Sequence, residues 1–103
     1  MRYQLVLQFR GSSLEDLDAL VALEDSLIGQ LAGVAVVDGH DIGSGEANVF
    51  IFTSDPMGTF DLVKPVLDRA HLLAAVTAAY RSTEGENYTV VWPKQSTNVF
   101  HVA

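Results

Sequence analysis

The side chains best equipped for chemistry are Glu24, Asp38, His40, Asp41, Glu46, Asn48 and His71. Five of them crowd one stretch, GVAVVDGHDIGSGEANVFIFTSD, from Gly33 to Asp55. Two chemistries suit these residue types. His40, Asp38, Asp41 and Glu46 could offer a metal ion mixed nitrogen and oxygen ligands. Alternatively, His40 or His71 could pair with Glu24 or Asp38 for acid–base catalysis, which requires partners about 3 Å apart or sharing one water.

Local geometry weighs against most of this. In a strand, Asp38 and His40 share a face while Asp41 points away, so at most three ligands converge. No spacing matches a metal motif, and no metal or other cofactor is expected. His71 lies at the end of an apolar helical stripe, where histidine more often meets the final carbonyls. Ser12, Ser13, Ser44 and Thr53 sit in no nucleophile-elbow context. Gly43-Ser44-Gly45 precedes a strand, so no helix N-terminus is available to hold a phosphate. Cysteine is absent, which removes disulfides, thiolate catalysis and Cys-ligated metal sites.

The elements that position these residues follow from periodicity. Tyr3, Leu5, Leu7 and Phe9 alternate with Gln4, Val6 and Gln8, the pattern of a half-buried strand. Ser12 with Glu15, or Ser13 with Asp16, can cap a helix that runs to about Leu31 and stops at Gly33. Its apolar arc is Leu17, Leu20, Val21, Leu27, Ile28 and Leu31, and Glu24 falls near the middle of that arc. A carboxylate there must be paired, hydrogen-bonded or neutralised, with His71, Arg69, Lys64 and His40 as candidate partners, unless the helix rolls and frees it. VAVV and NVFIF then form a hairpin about the glycine turn, pairing Val36 near Phe52, Asp38 near Phe50 and His40 near Asn48. Gly39 inside the strand suggests a bulge or a close backbone approach.

Asp55 or Thr59 caps a second helix with Pro56 in its first turn. Pro65 inside it should kink it or remove a hydrogen bond. The helix is expected to stop near His71, leaving Val76 to Ser82 and Tyr88 to Trp92 as a second hairpin. A helix continued to Arg81 would reach about 39 Å, longer than the sheet it covers. The order β-α-β-β-α-β, with an extra C-terminal strand, resembles the ferredoxin-like α/β sandwich, whose antiparallel sheet carries two helices on one face. The Asp-Gly-x-x-x-Gly-x-Gly-Glu run at 38–46 also looks like one found in small bacterial proteins of unassigned role, which implies no activity.

At 103 residues, 49% of them apolar, the chain fits one α+β domain spanning 1–103, with a tail at 94–103. The N-terminus reads as a strand with no signal peptide, and the protein as cytoplasmic. Six basic against thirteen acidic residues give a net charge of −7, which disfavours nucleic acid and anionic membranes and suits a basic protein partner. Phe50 and Phe52 share one strand face, Tyr88 and Trp92 alternate on the last strand, and Phe100 and Val102 lie in the tail. An apolar open sheet face of this kind favours self-association as a homodimer. The expected function is therefore a non-enzymatic interaction module that binds a copy of itself or another protein through Asp38, His40, Asn48, Phe50 and Phe52. The competing expectation is a ligand-binding protein or enzyme using Glu24, His40 and His71 as a pocket.

Overall fold

The structure, a computed structural model, describes residues 1–11, 16–94, 100 and 102. Its elements are β1 (Tyr3–Arg10), α1 (Leu17–Gln30), β2 (Ala35–Gly43), β3 (Glu46–Thr53), α2 (Pro56–Arg69), β4 (Val76–Ser82) and β5 (Thr89–Trp92). Five strands form one antiparallel sheet in the order β2-β3-β1-β4-β5, an α+β architecture.

β1 is the central strand because both its faces can be buried. Leu5, Leu7 and Phe9 pair with Ile51, Val49 and Ala47 on one side and with Tyr80, Ala78 and Val76 on the other. These side chains join Leu20, Leu23, Leu27 and Leu31 of the α1 segment and Phe60, Val63, Val66 and Leu67 of α2 in the main core. Both helices therefore cover the same sheet face. On the opposite face, Val6 and Ala79 pack with Phe100 of the tail, flanked by Phe50, Tyr88, Val90 and Val102. Part of the face expected to be open is thus closed by the chain itself. Val99, in the same tail, lies outside the described residues.

The helix boundaries follow capping chemistry. Asp16 caps α1 by accepting from the Asp18 N–H at 3.0 Å; Ser12, Ser13 and Glu15 of the anticipated capping boxes lie outside the described residues. Asp55 caps α2 by accepting from the Gly58 N–H at 3.0 Å, with Pro56 at the helix start. Thr59, the other anticipated cap, is instead buried and shares a 2.6 Å hydrogen bond with Thr53. Pro65 sits inside α2 without ending it. The helix stops at Arg69, His71 turns the chain at φ 61°, and β4 follows, as the length argument required. The stretch 72–82 is accordingly a turn and then a strand, with Ala78 and Ala79 fully buried in it.

One expectation about α1 fails. Leu17, Val21 and Ile28, assigned to the core, are 53%, 41% and 52% exposed, whereas Leu23 is buried. The helix is rolled by roughly 55° from the anticipated arc, at 100° per residue. The side chains of Leu20, Leu23, Leu27 and Leu31 fill the groove above the sheet, and the second stripe is left outside. None of the described helices is long and apolar enough to cross a membrane.

Candidate functional site around Glu24 and His40

The roll of α1 and an irregularity in β2 together bring Glu24 and His40 into contact. The first hairpin turns at Ser44-Gly45, both with positive φ (55° and 76°), the backbone that two-residue hairpin turns require. From the strand starts, Ala35 pairs with Thr53, Val36 with Phe52 and Val37 with Ile51. The ladder then shifts between Val37 and Gly39, so that Gly39 pairs with Phe50, His40 with Val49 and Asp41 with Asn48. Gly39 adopts φ 153°, a value that side-chain-bearing residues rarely reach.

This bulge corrects the anticipated register. Asp38 does not oppose Phe50 and His40 does not oppose Asn48, because the extra residue moves everything beyond it to the other face. His40 therefore points to the helix side. Its Nδ1 lies 2.6 Å from Oε1 of Glu24, the side chains being 33% and 12% exposed. An ionised carboxylate can only accept, so Nδ1 carries the shared hydrogen and Nε2 is the nitrogen left to other partners. Of the four candidate partners of Glu24, His40 is the one it meets. Among the described residues no further hydrogen bond reaches either side chain.

The remaining candidates lie elsewhere. Asp38 is exposed at the bulge. His71 is exposed beyond α2, where its N–H bonds the Asp68 carbonyl at 3.1 Å, and it forms no ion pair with Glu24. Asn48 is buried on the far sheet face, together with Gln8. Gln8 donates to Asn48 Oδ1 at 3.0 Å and to Glu46 Oε2 at 3.1 Å, and Asn48 donates to the same Glu46 oxygen at 2.8 Å. Phe50 and Phe52 are half-buried on that face. The seven side chains thus divide between the two faces of the sheet, and no cluster of three His, Asp or Glu among the described residues is arranged to hold a metal. Neither Glu24 nor His40 lines either of two surface grooves among the described residues: one of about 480 Å³ between α1 and α2, lined in part by Leu23, Ser26, Arg69 and Leu72, and one of about 580 Å³ beside β5.

Two further features surround the Glu24–His40 contact. The large apolar residues most exposed among those described are Met1, Leu17, Val21, Ile28, Val34, Val36, Ile42 and Met57, and six of these eight fall between 17 and 42. They border β2, an edge strand. Ten of the thirteen acidic residues lie between 11 and 63, a span that contains no lysine or arginine. The second feature is legible in the sequence, as a gap in the cations; the first depended on how α1 rolls. No protein family, curated protein or solved structure matches this chain.

Proposed function

We propose that this protein is a non-enzymatic interaction module that docks a partner chain along its β2 edge and the adjoining stripe of α1. Its scaffold is, in this reading, a ferredoxin-like βαββαβ sandwich with β5 appended. Both helices on one face and β2-β3-β1-β4 as consecutive neighbours support that description.

The observation that carries the functional reading is the placement of exposed apolar side chains on both sides of one sheet edge. Val36 pairs with Phe52 on the helix-free face, whereas Ile42 pairs with Ala47 on the helix face, and they are 52% and 45% exposed. A ligand lying on either face covers only one of them. A strand added to the edge reaches both and satisfies the outward backbone groups of β2 as well. Leu17, Val21 and Ile28 extend the same surface on α1.

Charge selects the occupant. Asp38 and Asp41 stand on the edge, and no lysine or arginine lies anywhere from residue 11 to residue 63. A second copy would bring the same acids to the same line, where like charges oppose pairing. An extended segment carrying alternating apolar and basic residues complements it instead. Glu24 and His40 act here as a positioning pair that ties α1 to the edge strand.

The test uses a peptide of alternating valine and lysine, followed by amide resonances of the labelled protein. The expected result is saturable shifts in β2 from Val36 to Ile42, weakened by salt and lost in Val36→Lys/Ile42→Lys with unchanged melting. Shifts confined to other surfaces would refute the edge. A dimer in sedimentation that the same double substitution abolishes would give the edge to a second copy and overturn the basic partner.

A further inference from the structure

We infer that the groove between α2 and β5 is a binding site for a small amphipathic anion, an aromatic or alkyl carboxylate. β5 extends the sheet beyond β4, and among the described residues no third helix covers the helix-side surface it adds. The resulting groove, of about 580 Å³, falls within the range of small-molecule sites. Phe60, Tyr80 and Val91 supply its apolar walls, and Met57, 55% exposed, stands at its mouth.

Its charge is unlike the rest of the molecule. Two of the six basic residues, Lys64 and Lys94, line it with a single acid, Asp61, in a protein of net charge −7. The Lys64 ammonium is held 5.1 Å from the Trp92 ring centre and 5.6 Å from that of Phe60. Its acidic neighbour is Asp61, whose carboxylate is 3.6 Å away and 74% exposed. That separation exceeds a hydrogen bond, so the three ammonium donors of Lys64 remain available to a ligand. An apolar body against Phe60 and Tyr80 with a carboxylate between the two lysines satisfies both surfaces, whereas a cation or a neutral hydrocarbon satisfies one at most. Trp92, the sole tryptophan, reports on the site through Lys64, whose ammonium lies over its ring, and its indole N–H is fixed by the Leu73 carbonyl at 3.1 Å.

The experiment titrates the full chain with 4-phenylbutyrate and, separately, with the neutral 4-phenylbutyramide, reading the Trp92 indole and the Thr89 to Val91 amide resonances. The anion is expected to shift these signals saturably and to bind about tenfold more tightly than the amide, the scale of one charge-assisted contact. Lys64→Glu/Lys94→Glu should lose about the same factor, and Lys64→Met, which keeps the apolar stem over the rings, should lose part of it. Equal affinity for the two ligands, indifference to the double charge reversal, shifts centred on the α1–α2 groove, or no saturation by about 10 mM would each overturn the inference. The β2 edge takes no part in this readout, so failure here is distinct from failure there.

Discussion

Removing His40 should destabilise the protein more than removing its partner's charge, and removing both together should cost little. The reason is the asymmetry of exposure. Glu24 retains 12% of its side-chain surface and depends on the imidazole, whereas His40 keeps 33% and can turn to water. His40→Val strands a largely buried carboxylate, for which an unmet polar group costs about 2 kcal/mol, the middle of the usual range. For a chain of 103 residues that lowers the melting temperature by about 10 °C. Glu24→Gln keeps the shape and an acceptor, and should cost under about 1 kcal/mol. Glu24→Leu/His40→Val replaces both partners by apolar groups at the border of the core, and should lie within about 1 kcal/mol of the parent. Urea unfolding at neutral pH of these variants and of the single Glu24→Leu, with equal slopes across the set, closes the cycle and gives the coupling energy, expected near 2 kcal/mol. A His40→Val cost below about 0.5 kcal/mol, or a double variant that sums its singles, would refute the dependence of Glu24 on His40.

Other buried contacts give sharper single comparisons. Thr53 bonds Thr59 and also accepts the Asp55 N–H at 3.0 Å, so Thr53→Val should cost about 2 kcal/mol and Thr59→Val about 1 kcal/mol by thermal unfolding. Asp55→Ala removes the α2 cap and should lower stability by about 1 kcal/mol, largely restored by Asp55→Asn. Gln8→Leu deprives the buried Asn48 carbonyl of the donor at 3.0 Å and should cost about 2 kcal/mol in denaturant titration, despite the apolar surface it adds.

The elements that proved legible in the sequence are those decided by local rules. Alternation in Tyr3 to Phe9 marked the central strand, the glycine turn marked the hairpin, and Asp55-Pro56 marked the entry to α2. The end of α2 near His71 followed from simple length. What depended on tertiary packing escaped. In α1 two leucine-bearing stripes have the same spacing, and only the shape of the groove above β1 and β3 chooses Leu23 over Leu17, Val21 and Ile28. The Glu24–His40 contact was present among the named possibilities, but its selection needed that roll together with the bulge. Phe100 illustrates a third case: its apolarity suited it to dock on this domain or on a neighbour, and did not single out Val6 and Ala79 as its seat.

The bulge in β2 also fixes where the hairpin can change length. Cα partners run Val37 with Ile51 and Gly39 with Phe50, leaving Asp38 as the surplus residue. A chain lacking Asp38 keeps every other partner in the ladder and straightens the strand, so His40 still faces Glu24. A chain lacking any residue from Gly39 to Ile42 rephases what lies between the gap and the bulge or shortens the arm to the turn. Position 38 is thus a tolerant joint in an otherwise phase-locked strand. Natural or designed relatives that differ by one residue in this arm should place the gap there and retain the same inward-facing side chains.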